Sequence, residues 1–324
     1  MSPLLRSPLG PQIAAYLTLK KALGRRFATE TDVLVHLDRF LFKGRLSVLN
    51  SGAFFEWTTT LSHLTPTVRR NRMRIVRNFC LYLRRSDHDH FLPDPSSFPD
   101  PHEPRSPYIF SRKQIARLLD VASNLSSSST SLLRSAVFRM AMVLFYTLGL
   151  RRGEVVRLAI SDYNSTEKTL LVRESKFHKS RLLALSPSAV REMERYLCQR
   201  RRLPHGPDAP LLVSNHRGLK AYNGGSFGFA MRSLFRMADV RTLDGRLPRV
   251  HDLRHTFAVH ALLRWYRAGV DVQTKLPALA TAMGHVSIAS TAYYLRLLEP
   301  VMRAASGRFA RHCRSMFAPS GGAR

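Results

Sequence analysis

Apolar residues recur at helical spacing in four successive stretches, roughly 11–23, 30–43, 52–61 and 66–85, before any other period appears. The first carries Ile13, Tyr16, Leu17 and Leu23; the second carries Val33, Leu34, Leu37, Phe40 and Leu41. The pattern then stops at "FLPDPSSFPDPHEPRSP", residues 91–107, where six prolines interrupt both helical and strand periods. That stretch reads as an extended, semi-rigid linker. Beyond it, "SRKQIARLLDVAS" and "SLLRSAVFRMAMVLFYTLGL" predict two helices, the second apolar nearly all round and therefore buried. Three short β-like runs follow, "LAISDYN", "KTLLVRES" and "RLLALS", joined by turns. Helical spacing returns over 187–202, 225–238, 251–268, 272–283, 287–295 and 299–317. The expectation is a mainly α protein with a small antiparallel β-sheet. Its parts are a four-helix domain over 1–90, a Pro-rich linker over 91–108, and an α+β domain over 109–324.

Charge changes this picture. Lys and Arg total 51 against 22 Asp and Glu, a formal net charge of +29, and only nine of the 51 are lysine. A GC-rich genome would raise the Arg:Lys ratio, but it would not remove so many acids. The planar arginine fork suits phosphate oxygens, so the expected partner is a polyanion, foremost nucleic acid. Cys80, Cys198 and Cys313 are far apart and form no C-x-x-C pair, which argues against a zinc ribbon and a disulfide scaffold. No apolar run is long enough to span a bilayer, and the first residues lack a continuous apolar stretch of signal-peptide type. These features predict a cytoplasmic, nucleoid-associated protein with no membrane contact.

In "TPTVRRNRMRIVRNFCLYLRR", Thr65 can cap a helix that opens on Pro66. Arg69, Arg70, Arg74 and Arg77 share one face at helical spacing, opposite Val68, Ile75, Phe79 and Leu83, while Arg72 falls on the apolar side. With no acid on that helix, the stripe is expected to contact DNA rather than merely to be solvated.

"HDLRHTFAVH", residues 251–260, places three histidines and an arginine at the start of an otherwise apolar helix. His251 and His255 have the i, i+4 spacing of metal ligands. However, residue 252 is Asp where a zinc protease motif has Glu, and Arg254 would repel a cation. An anion site suits these residues better, because a helix N-terminus adds free N–H groups to the Arg and His donors. Other basic turns accompany it: Arg151 and Arg152 after Gly149-Leu150, Lys176 and Lys179 in "RESKFHKSR", and His285 after Gly284 in "AMGHVSIASTAYYL". Taken singly, each has an ordinary structural explanation, such as a helix C-cap, a solubilising lysine or a core aromatic.

Their order is more specific. "TLGLRRGE", "SKFHKSR", "HDLRHTFA" and "MGHVSIASTAYY" resemble the four boxes of the tyrosine recombinases, the phage-integrase superfamily. The likeness covers 109 to about 300, and the Arg-rich helical segment before it resembles the family's core-binding domain. The resemblance implies that Arg151, His251, Arg254 and His285 bind or activate a phosphodiester and that Tyr294 is the nucleophile. It implies that Glu154 supports the Arg151 turn and that Lys176 is the hairpin lysine, with Lys179 as a substitute because Ser175 and Phe177 stand where glycines are usual. Tyr293, next to Tyr294, is the competing phenol.

The chemistry implied is cleavage through pentacoordinate phosphorus. Arg151 and Arg254 clamp the non-bridging oxygens, and His285 hydrogen-bonds the phosphate. His251 takes or returns the phenolic proton, and Lys176 protonates the leaving 5′ oxygen. A 3′-phosphotyrosyl link stores the bond energy, so neither metal, ATP nor other cofactor is expected. The implied partners are double-stranded DNA and further copies of the chain, as a homo-tetramer on paired sites. Integration or excision of a mobile element is the expected role. A type-IB topoisomerase-like enzyme and a non-catalytic DNA-binding protein on the same fold remain alternatives.

Overall fold

The computed structural model describes residues 5–24, 27–101, 105–173, 180–203, 206, 208–215 and 219–297. The chain divides into two compact units, Met1–Arg105 and Ser106–Arg324. It is mainly helical with small antiparallel sheets, all of the described strands lying in the second unit.

The first unit holds α1 (Gly10–Ala22), α2 (Ala28–Lys43), α3 (Ser51–Thr59) and α4 (Pro66–Leu83). Ile13, Leu34, Leu37, Phe54, Trp57, Val76 and Phe79 fill its core. Buried Asp38 of α2 accepts from the Arg6 and Ser7 backbone and from the Ser7 hydroxyl, anchoring the segment that leads into α1. Asn50 caps α3 by accepting from the Ala53 N–H.

Two readings of this unit need correction. The apolar face of α4 is Met73, Val76, Phe79, Cys80 and Leu83, whereas Val68 is exposed. Residues 91–101, expected as an extended, semi-rigid linker, instead pack on this unit: Phe98 is buried in the helical core and Asp94 caps a short turn at Pro95–Ser97. Prolines leave this stretch without ladder partners, so its carbonyls need other donors. Arg70 Nη1 supplies one to Pro99 O at 3.0 Å, and Arg77 Nε another to Pro93 O at 3.1 Å. The arginine stripe is therefore not a uniformly free face. Arg74 is exposed, Arg70 and Arg77 staple the proline segment to α4, and Arg69 is half-buried with its Nε unpaired. Half-buried Arg72 acts on His36, whose ring accepts from the Trp57 indole.

In the second unit, α5 (Arg112–Ser123) begins with a reciprocal Ser111–Gln114 capping box. Helix α6 (Arg134–Leu148) is the most buried element and packs against α5. It stops at Gly149, whose φ of +61° few other residues tolerate. The short α7 (Arg152–Val155) follows, then β1 (Tyr163–Asn164), β2 (Thr169–Val172) and β3 (Arg181–Ala184) in an antiparallel sheet of order β1-β2-β3. The middle of the expected strand over 158–164 is instead a 3-10 turn at Ile160–Asp162, because the Asp162 carboxylate turns back to accept the Ala159 N–H.

Helix α8 (Pro187–Arg200) precedes a two-stranded sheet, β4 (Val213–Asn215) with β5 (Lys220–Ala221), too short to show a sequence period. Helices α9 (Gly224–Met237), α10 (Asp252–Arg267) and α11 (Val272–Met283) follow. Ala258, Val259 and Leu262 of α10 pack on Leu276, Leu279 and Met283 of α11, and Tyr294 joins this cluster. The helix expected over 287–295 is one turn, α12 (Ala289–Ala292), continued as a 3-10 helix at Tyr293–Leu297. The helix expected over 299–317 lies outside the described residues.

Candidate active site

Three arginines meet at the C-terminus of α11, which ends on Gly284 with φ +65°. A helix end leaves its last carbonyls without intrahelical partners, and here consecutive ones each receive a different guanidinium. Arg181 Nε donates to Ala282 O at 2.8 Å, Arg254 Nη2 to Met283 O at 2.6 Å, and Arg151 Nη2 to Gly284 O at 2.9 Å. Arg254 also donates to Gly149 O, 2.7 Å away, so it ties the end of α6 to the end of α11. A Cβ at Gly149 would collide with the Phe257 ring of α10, which is why the turn carrying Arg151 approaches so closely.

One carboxylate answers these cations. Glu154, 3% exposed, accepts from the Arg151 backbone at 2.8 Å and from Arg151 Nη1 at 2.9 Å. It also accepts a two-pronged contact from Arg181, at 3.0 and 2.9 Å. Burial alone would push its carboxyl up, but the bonds from Arg181 and Arg151 outweigh that and hold it at about 2. Three guanidiniums against one carboxylate leave the pocket cationic.

Tyr294 is 3% exposed, and its hydroxyl lies 3.1 Å from His255 Nδ1. The His285 ring lies parallel to the Tyr294 ring, with an interplanar angle of 11° and centroids 6.2 Å apart. His285 Nδ1 shares a 2.7 Å hydrogen bond with the buried Thr291 hydroxyl. His251 stands one helical turn before His255, its ring edge-on to the other at 4.8 Å. Burial, then the charges of nearby basic groups, push both His255 and His285 down to about 4, so both are neutral at neutral pH. Burial pushes the Tyr294 phenol up, against a lowering by Arg254.

The structure thus brings Arg151, Glu154, His251, Arg254, His285 and Tyr294 into one site. Tyr293, though adjacent in the chain, is exposed. Lys176 and Lys179 lie outside the described residues. Sequence reading passed over two site residues. His255 stands beside Arg254 in "HDLRHTFA" without an assigned catalytic role, and Arg181 is the last residue of "SKFHKSR". Among the described residues, no group of three His, Cys, Asp or Glu side chains is placed to hold a metal ion.

Comparison with known proteins agrees with this geometry. Residues 109–299 match the model of the phage integrase family. The chain is 29% identical to the putative integrase/recombinase y4rB of Sinorhizobium fredii, across 92% of this chain and 96% of that protein. It is 27% identical to the tyrosine recombinase XerD of Brucella suis, across 75% of each. Among solved structures it resembles the Tn1549 transposon integrase in complex with transposon right end DNA (TM-score 0.62, 16% identity, 89% of this chain and 94% of that one). It also resembles XerH recombinase bound to its difH substrate (TM-score 0.60, 18% identity, 84% and 78%). The chain belongs to the phage integrase family, the tyrosine recombinases. It is a site-specific DNA recombinase, and no helix among its described residues is long and apolar enough to cross a membrane.

Proposed function

We propose that this recombinase integrates or excises a mobile element, with Tyr294 as the nucleophile and Arg151, Arg254 and His285 as ligands of the scissile phosphate. The observation that carries the reading is the buried phenol beside the Arg254 and Arg151 guanidiniums, with Arg181 and Glu154 behind Arg151. Near full-length similarity to a protein named as an integrase/recombinase supports the mobile-element role.

Attack by the Tyr294 oxygen on phosphorus forms the P–O(Tyr) bond and breaks the bond to the 5′ oxygen, leaving a 3′-phosphotyrosyl link. Charge that builds on the non-bridging oxygens is met by fixed donors rather than by reorganising water. Each guanidinium has five N–H donors, so holding one or two carbonyls does not exhaust Arg151 or Arg254. Glu154 and Arg181 keep the Arg151 turn in place. Lys176 is assigned the protonation of the leaving 5′ oxygen, and a tetramer on paired duplex sites the exchange of strands. The terminal stretch, with Val301, Met302, Phe309, Met316 and Phe317 among basic residues, is assigned to contact between protomers.

A nicked suicide duplex carrying the cognate site tests this. The wild-type chain becomes covalently joined to a 3′ phosphate, Tyr294→Phe binds equally well without joining, and Tyr293→Phe still joins. Arg151→Ala and Arg254→Ala slow joining by about 10²–10³-fold, and EDTA changes nothing. An adduct that survives Tyr294→Phe overturns the assignment of the nucleophile. Relaxation of supercoils without exchange between two sites would favour a topoisomerase. Deleting residues 305–324 should spare single-site binding and weaken pairing of sites.

A further inference from the structure

The geometry points to His255 as the group that takes the proton from Tyr294 as its oxygen attacks phosphorus, an inference that rests on Tyr294 being the nucleophile. Two histidines, His255 and His285, contact that phenol, and a third, His251, packs on His255. His251 and His255 are one turn apart at the start of α10 and so share a face. Among the hydrogen bonds of the described site residues, the histidine bonded to the Tyr294 hydroxyl is His255, through Nδ1 at 3.1 Å. His285 lies ring to ring with Tyr294, and its Nδ1 is occupied by Thr291. His251 presents its ring to His255 rather than to the phenol.

A buried phenol has a particular need for such a partner. Burial disfavours the phenolate, so Tyr294 does not ionise spontaneously near neutrality. His255 is available as an acceptor because burial, and after it the nearness of His251, keep its imidazole neutral. The other groups acting on it are Asp252, Arg249 and Arg254, with Tyr294 opposite. Docking a phosphodiester into this cationic set adds the negative charge that raises the proton affinity of His255 when transfer occurs. His251, whose own imidazole burial also pushes down, packs edge-on against His255 and so helps to hold that ring in place.

The step balances. A lone pair of the phenolic oxygen forms the bond to phosphorus, and the phenolic proton passes to Nδ1. The bonding pair to the 5′ oxygen leaves with that oxygen, which is protonated by the separate acid assigned above to Lys176. In rejoining, a 5′ hydroxyl attacks, the phenolate departs and His255 returns its proton.

The test uses the full chain and the nicked suicide duplex. In His255→Asn the amide can accept a hydrogen bond from the phenol but cannot take its proton. We expect adduct formation to fall by about 10²–10³-fold, within the usual range for loss of a general base, with duplex binding unchanged. Replacing Tyr294 by 3,5-difluorotyrosine, a more acidic phenol, should speed the His255→Asn variant at least about tenfold while changing the wild-type chain little. That ratio is read within one background, so any folding loss in the variant cancels. A duplex with sulfur at the 5′ bridging position needs no acid for its leaving group. It should rescue Lys176→Ala and leave His255→Asn slow.

Normal adduct formation by His255→Asn, no gain from the fluorinated phenol, or rescue by the bridging sulfur would each overturn the assignment. The same holds if His251→Asn, and not His255→Asn, is the variant rescued by the acidic phenol. Failure of the underlying reading looks different, since it would show as an adduct in Tyr294→Phe.

Discussion

Arg181 and Glu154 meet fork to fork, Nη1 3.0 Å from Oε1 and Nη2 2.9 Å from Oε2, with both side chains buried. The same arginine reaches Ala282 O on α11. One side chain therefore fixes the β3 edge, the Arg151 turn and the helix end before His285. Arg181→Ala removes the two-pronged partner of buried Glu154 and leaves Arg151 as its remaining cation, which costs about 1.5–3 kcal/mol, the range for hydrogen bonds to a charged group. Arg181→Lys should be nearly as damaging, since an ammonium cannot make the two-pronged contact and reach the carbonyl as well. Urea unfolding of the three chains measures this; equal midpoints for wild type and Arg181→Ala would contradict it.

Glu154 gives a pH signature. Its folded-state value is depressed, from an ordinary 4.5 to about 2, because the arginine hydrogen bonds outweigh burial. Its contribution is therefore fully present above pH 4.5 and is lost as pH falls from there towards 2. The depression corresponds to about 3 kcal/mol. Glu154→Gln should be less stable than wild type by roughly that amount at pH 7, and the gap should close as pH approaches 2. A gap that stays constant across this range would show that the carboxylate charge is not what holds the turn.

Gly149 is constrained twice, by φ of +61° and by the Phe257 ring where a Cβ would stand. Gly149→Ala should cost about 1–2 kcal/mol for the left-handed backbone and about 1–3 kcal/mol more for overpacking. In the double variant Gly149→Ala/Phe257→Ala the steric part should disappear and the backbone part remain. A double-mutant cycle with no coupling between these sites would refute the collision.

The arginines of α4 should divide into two groups. Arg74 is exposed, while Arg70 and Arg77 bond to proline-segment carbonyls. Duplex binding by this chain of net charge +29 should weaken steeply with salt, and Arg74→Ala should reduce the slope of log K against log salt by about 0.9. Arg70→Ala and Arg77→Ala should instead lower the melting temperature of the first unit. An unchanged salt slope in Arg74→Ala would remove that residue from the DNA-binding surface.

The sequence by itself determined what local geometry controls. Four helices before the prolines, the buried α6, the glycine turn at 149, and the ordered boxes carrying Arg151, His251, Arg254, His285 and Tyr294 could all be read along the chain. Helical period and glycine φ depend on near neighbours, so they leave a linear trace. Tertiary structure decided the rest. Arg74, Arg70 and Arg77 lie on one helix, yet only packing of the proline segment separates the exposed one from the two that bond to its carbonyls. Three arginines, from the turn before α7, from β3 and from α10, converge on three successive carbonyls at the end of α11, although Arg151 and Gly284 are 133 residues apart. His251 and His255 look equivalent as a pair one turn apart. Which of them faces Tyr294, 39 residues beyond His255, is set by how the turn after α11 folds back onto α10, because a hydrogen bond depends on position in space and not on spacing along the chain.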